Sequence, residues 1–286
     1  MKSIDTGSHN IFIGRLAGSG TAATLIQGNV GIGTQALQNL NGGDNNGVIG
    51  KQAGGNTTTG HSSAYIGYYC GYYETTSYGN VAMGHVALQG ETGKHNPYNV
   101  ALGYKAMTSA SGSSNNVAIG FEAFKADDLI GDDNVAIGYR TLQANTTGTH
   151  NQAIGQDALY TNITGTHNIA IGHAALTANT TGASNTAVGS LSLEDNTTGG
   201  YNTAVGYNAL KDNTTADNNT GLGYGALAAN ETGHSNTAVG KGALTAATTA
   251  ITNTAVGFDA LAGDTKGSKS TAVGRSALSS QNFTSA

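Results

Sequence analysis

GYRTLQANTTGTHNQAIG, residues 138–155, begins and ends on a glycine, and its grammar returns along nearly the whole chain. Sixteen glycines, from Gly14 to Gly274, each follow an aliphatic residue or Met, with Asn or Ser four residues upstream. Twelve of their fifteen spacings are seventeen residues, and the others are eighteen or nineteen, as expected if one or two residues enter a surface loop. A period this strict has to be read before any short motif inside it, because stacked repeats bury a core that no single unit can.

With the marker glycine at position zero, position −1 is Ile in eight repeats, Val in five, Leu in two and Met in one, and position +4 is Leu in eleven. Ala dominates −2 and +3, and Asn occupies −4 in fourteen repeats. Seventeen residues are too few for a helix pair, and the glycine at zero with the Asn-Thr-Thr-Gly at +7 to +10 interrupts each unit twice. The spacing therefore predicts an all-β chain, a parallel β-roll or β-solenoid of about sixteen 17-residue coils. Each coil is expected to carry two short strands, near −4 to +1 and +3 to +6. Coils stacked at the inter-strand distance would make a rod of roughly 75 Å. A lead-in at 1–9, one repeat domain at 10–278 and a tail at 279–286 complete the expected organisation.

Like residues then form ladders. Ile137, Ile154, Ile171, Val188 and Val205 at −1, with Leu142, Leu159 and Leu176 at +4, are expected to fill the interior, each buried side chain contributing about 1.5 to 3 kcal/mol. Asn145, Asn162 and Asn179 at +7 can hydrogen-bond from coil to coil and tolerate left-handed turns. Strand alternation puts −4, −2 and zero on the opposite face from −1, a face of Asn, Ala and Gly that would let other rods approach closely. Packing of three such rods follows as the expectation, with a lone solenoid as the other arrangement.

Composition excludes several functions. The 286 residues include 44 glycines, one proline and no tryptophan; only 10% are charged, and the formal charge is −5. Scattered Lys and Arg leave no basic stripe for phosphates, so nucleic acid is a poor partner. No stretch is long and apolar enough for membrane insertion. The N-terminus lacks an apolar core of a secretion signal, so export by that route is not expected. The lone Cys70 stands in the Ala column at +3, which points to a small buried side chain.

The segments NVAIG (134–138), NIAIG (168–172), NTAVG (202–206) and STAVG (270–274), each followed by x-x-A-L, resemble the head repeats of trimeric autotransporter adhesins of the YadA type. Similar runs occur in bacteriophage tail fibres. The resemblance implies a left-handed parallel β-roll that trimerises into a surface-binding rod.

Motifs that suggest chemistry fall on repeat columns. GIGTQA (31–36) and GLGYGA (221–226) imitate a dinucleotide-binding pattern without its strand-turn-helix context, so no cofactor is expected. His150 and His167 share a column and would stack, but two ligands do not hold zinc. Asp127, Asp128, Asp132 and Asp133 form a weak candidate loop for Ca²⁺ beside the commoner reading of a solvated acidic turn. Adjacent threonines at the Asn-Thr-Thr turn lack the paired T-x-T face of ice-binding solenoids. The least regular region, Tyr65 to Tyr98, offers a receptor-binding patch in Tyr68, Tyr69, Tyr72, Tyr73, Tyr78 and Tyr98; alternatively its rings, Tyr65 among them, cover gaps where Gly54 and Gly71 replace Leu. Together these readings predict a non-enzymatic fibre or adhesin shaft, a virion tail fibre or extracellular appendage. Its expected partners are its own copies, a host-surface glycan or protein receptor, and other fibre or baseplate proteins. The alternative is a monomeric ligand-binding solenoid such as an ice-binding protein.

Overall fold

A computed structural model describes residues 7–20 and 25–282. The expected lead-in and tail fall partly outside them. The chain divides into two compact units, Met1–Thr147 and Gly148–Ala286. The first holds β1 (Ile11–Ile13), β2 (Val30–Ile32), β3 (Gly47–Ile49), β4 (Ala64–Ile66), β5 (Val81–Met83), β6 (Val100–Leu102), β7 (Val117–Ile119) and β8 (Val135–Ile137). The second holds β9 (Gln152–Ile154), β10 (Ile169–Ile171), β11 (Thr186–Val188), β12 (Thr203–Val205), β13 (Thr220–Leu222), β14 (Thr237–Val239), β15 (Thr254–Val256) and β16 (Thr271–Val273). Within each unit successive strands pair parallel with like columns in register, for example Ile154 with Ile171 and Val188 with Val205. This is a parallel β-solenoid whose turns repeat about every seventeen residues.

Each coil has one strand, not the two expected, and the strand is only three residues long. The segment from +1 to +6 is instead a chain of turns. Its residues alternate in hand: at Arg140 and Leu142 φ is 51°, at Asp157 55° and at Leu159 50°. Backbone of alternating hand cannot extend as β, yet its N–H groups still reach partners. Leu159 donates to the Ala175 carbonyl in the next coil (3.0 Å), and Asn162 donates back to Leu159 (3.2 Å). Left-handed geometry costs a residue with a side chain about 1–2 kcal/mol. Burying the leucine contributes about 1.5 to 3 kcal/mol, so the ladder at +4 holds despite the strain. The marker glycines lie at φ of 126–144°, where the chain turns out of the strand. A side chain on Gly155 would also meet the backbone of Gly172 in the coil below, which explains why this column never varies.

The strand faces are the reverse of those expected from the sequence. Ala153 and Ala170 at −2 are 0% exposed, whereas Ile154 and Ile171 at −1 are each 38% exposed. The core is therefore −2, +3 and +4 with the Asn columns, and −3 and −1 point outward. A coil this narrow accommodates one large column. Three coils demonstrate the limit by exchanging which column is large. Where +4 is Gly71, position −2 is Tyr65, and a side chain built on Gly71 would meet the Tyr65 ring at 2.7 Å. Phe12 lies over Gly18 in the same way, and Val48 accompanies Gly54.

Both Asn columns are buried. At +7, Asn179 Nδ2 donates to Asn162 Oδ1 (2.7 Å) and to the Gly182 carbonyl of its own coil (3.0 Å). At −4, Asn151 Oδ1 accepts from the Asn168 backbone N–H (3.0 Å), while Asn151 Nδ2 donates to the Gly165 carbonyl (2.8 Å). Buried amides with both ends bonded rigidify a core that is short of apolar volume.

Candidate functional site

Two surfaces emerge from this geometry. The first is the outward strand face. In the first unit it is aliphatic: the half-buried Val100 and Leu102, Val117 and Ile119, Val135 and Ile137 flank inward alanines, and Ile49, Ile66, Val81 and Met83 are 38–51% exposed. In the second unit six consecutive strands, β11 to β16, place Thr at −3 and Val or Leu at −1. The outward threonines thus form a single column at −3, on strands that read Thr-x-Val or Thr-x-Leu, away from the Asn-Thr-Thr turn. The turn threonines do another job, with Thr180 Oγ1 and Thr197 Oγ1 donating to the next coil's carbonyl (both 3.0 Å).

The second surface is at +1, directly after the marker glycine. In the first unit Tyr68, His85, Tyr104, Phe121 and Tyr139 stack one per coil, with successive ring centroids 5.2 Å apart. Cations lie over the rings: Lys51 Nζ is 5.6 Å from Tyr68, Lys105 Nζ 5.3 Å from Tyr104, and the Arg140 guanidinium 4.8 Å from Tyr139. The second unit repeats the theme, with Tyr207 against Tyr224 (5.4 Å), Lys241 between Tyr224 and Phe258, and Arg275 over Phe258.

The structure divides the tyrosines singled out in the sequence. Tyr68 heads the ring ladder and continues sideways through Tyr69, Tyr72 and Tyr73, with centroids 4.5–4.7 Å apart. Tyr78 and Tyr98 join His61 and His95 in a separate group upstream of the strand, at −8 to −5. None of the six fills the space over Gly71; the buried Tyr65 does. His85, Tyr104, Phe121 and Tyr139 were missed because +1 also carries Gln, Ser and Thr and reads as an indifferent exposed column. The discoverable signal was chemical: none of its sixteen residues is Asp or Glu.

The remaining candidates are quickly placed. Asp127, Asp128 and Asp133 are exposed, and Asp132 Oδ1 accepts from the Ser114 N–H (2.6 Å) and hydroxyl (3.1 Å). Among the described residues no three His, Cys, Asp or Glu side chains group as metal ligands. His150 and His167 stack at 4.8 Å with planes 4° apart. Cys70 is buried, and burial pushes its thiol up to about 12, far from a reactive thiolate.

One buried group departs from the repeat. Glu74 replaces Asn at +7 and is 0% exposed. Asn96 Nδ2 donates to its Oε1 (2.9 Å), while Oε2 has no partner. Burial pushes the carboxyl up to about 8, more than hydrogen bonds from Ser77 and Asn96 lower it. The same burial, reinforced by Glu74, raises the Tyr65 hydroxyl.

The fold and surfaces define the class as an all-β repeat protein, a parallel β-solenoid in which each unit carries an outward strand face and an aromatic-cationic column. No protein-family model matches the chain, and no curated protein matches it.

Proposed function

We propose that this chain is a structural fibre or adhesin shaft, a bacteriophage tail fibre or similar surface appendage, that works as a homotrimer. The observation that carries the reading is the exposed aliphatic strand face of the first unit. Contiguous apolar surface on a soluble protein marks an interaction site. A face that repeats the same side chains on every coil is best complemented by another face with the same repeat, which a second and third copy supply. The surface that packs is thus the Ile/Val face at −3 and −1, in place of the Asn, Ala and Gly face expected from the sequence. Left-handed winding belongs to this reading through the resemblance to adhesin head repeats.

The role is mechanical and adhesive, without catalysis. The ring ladder presents the same contact on successive coils, so that weak contacts to a host-surface glycan or protein receptor add by avidity. Other fibre or baseplate proteins would take the remaining contacts of such an appendage, on a virion or outside the cell.

A second reading has its own support. The Thr-x-Val rows of β11 to β16 form a regular array of hydroxyls and methyls, the chemistry of an ice-binding face on a monomer. Light scattering of the purified chain separates the two: a particle of three 28.6 kDa chains supports the fibre, and a monomer that reshapes growing ice crystals refutes it.

A further inference from the structure

The ring ladder of the first unit has a charge pattern that its repeat does not require. In the first unit the +1 column holds Arg15, Lys51, one histidine and no carboxylate, and Lys105 joins it from +2, in a chain whose formal charge is −5. Glu122, which follows Phe121, is taken up by Lys125 (3.0 Å) and by Gln143 (2.9 Å). Among the described residues, Lys51 and Lys105 have no carboxylate within ion-pair distance and rest on rings instead. The column is therefore a positive line on an acidic protein.

Its shape is equally specific. Five rings in four steps of 5.2 Å span about 21 Å, and the ladder is one side chain wide. A folded protein partner needs a broad patch, typically about 800 Å² on each side. A line of this width fits an extended polymer lying along it. An extended pyranose chain advances by nearly the same interval per sugar, so successive sugars meet successive rings. Ring edges and tyrosine hydroxyls suit the mixed apolar and polar surface of a sugar. The lysines suit a carboxylate or sulfate, and a lysine ammonium resting on a ring on one side can bond an anion on the other.

We propose that the +1 ladder is a binding track for a linear acidic polysaccharide, with Tyr68, Tyr104, Phe121 and Tyr139 supporting the sugars and Lys51 and Lys105 holding their acidic groups. The proposal rests on the reading of this chain as an attachment fibre and names the class of receptor. The recognition is additive over coils, so affinity rises with polymer length until the track is filled.

The test uses the full chain with polygalacturonate as probe, and dextran and single-stranded oligothymidylate as comparisons. The track predicts polygalacturonate binding that weakens with salt and falls about tenfold in Tyr104→Ala/Phe121→Ala and in Lys51→Gln/Lys105→Gln, with the circular dichroism unchanged because none of these side chains lies in the buried core. Equal binding of dextran, or no effect of the lysine substitutions, overturns the acidic-glycan assignment while leaving the ladder as an attachment site. Tighter binding of oligothymidylate overturns it in favour of nucleic acid. Absence of polygalacturonate binding, or binding insensitive to both variants, removes the track altogether; a trimer in that case preserves the fibre reading, which only a monomeric chain removes.

Discussion

At the scale of single residues, the core is governed by volume exchanged within a coil. Tyr65 and Gly71 occupy the space that Ala and Leu fill elsewhere, so the two positions are coupled. Gly71→Leu alone drives a side chain into the Tyr65 ring and destabilises the first unit, by the 1–3 kcal/mol typical of overpacking or more. Tyr65→Ala alone leaves a cavity and costs about 3–5 kcal/mol. Tyr65→Ala/Gly71→Leu restores the common arrangement and recovers most of both losses, so a double-mutant cycle in urea should give a coupling of at least about 2 kcal/mol. Additive losses would show that the two side chains do not share one space. The exchange was legible in the sequence, because Phe12 with Gly18, Val48 with Gly54 and Tyr65 with Gly71 depart together. Rings covering the gaps at Gly54 and Gly71 are one of the two sequence readings of this region, and Tyr65 over Gly71 bears it out; that position −2 supplies the filling side chain is hidden by the placement of −2 on the outer face.

Glu74 sets a pH dependence at the same scale. Below its ordinary value of 4.5 the carboxyl is neutral in folded and unfolded chains and has no effect on stability. Between 4.5 and about 8 the unfolded chain ionises while the folded chain keeps the proton, so stability falls as pH rises and levels off above about 8. Glu74→Gln removes that loss. Thermal melts should show the variant and the natural chain alike near pH 4, with the variant more stable at pH 8.5 by an amount on the order of a few kcal/mol. A difference that is constant with pH would mean that Glu74 is not buried as a neutral acid. Nothing in the repeat pattern foretold this, since Glu74 reads as one more polar residue at +7.

At the scale of the element, a coil is a three-residue strand followed by a turn of alternating hand, sealed by Asn. The period and the stacking of like residues were legible from the glycine spacing. The second strand was misread because Leu rarely adopts positive φ, so a column of leucines suggested extended chain rather than a left-handed turn. The inverted faces have a related cause. Ile at −1 and Leu at +4 are equally apolar, and hydrophobicity alone does not say which of them a narrow coil admits.

The Asn ladder at +7 makes its own prediction. Six residues from Asn145 to Asn230 are followed by Ala247 and then Asp264, and Asn230 Oδ1 is buried with no partner at the point where the amides stop. Ala247→Asn/Asp264→Asn continues the ladder and supplies the missing donor. Each hydrogen bond gained in such a place contributes about 1 kcal/mol, and relief of the buried oxygen adds to it. The melting temperature of the double variant should rise by several degrees, as expected for a gain of 1–2 kcal/mol in a chain of this size. A lower melting temperature would mean that the space beside Ala247 does not admit an amide.

At the scale of the whole molecule, the question is what covers the outward strand faces. The sequence carried the repeat and the resemblance to adhesin heads, but it placed the wrong columns outside and so pointed to a different packing surface. With −3 and −1 outside, every coil of the first unit turns an aliphatic residue or Met outward at −1, and the polar and aromatic columns remain for receptors. The proposed homotrimer would be joined through this face. The direct measurement is the mass in solution, by light scattering, of the natural chain and of Val117→Lys/Ile119→Lys, whose two substitutions lie on the outward face and leave the buried Ala118 in place. The account predicts three chains for the natural protein and one for the variant, with the same circular dichroism. A natural chain that is monomeric, or a variant that stays trimeric, contradicts it.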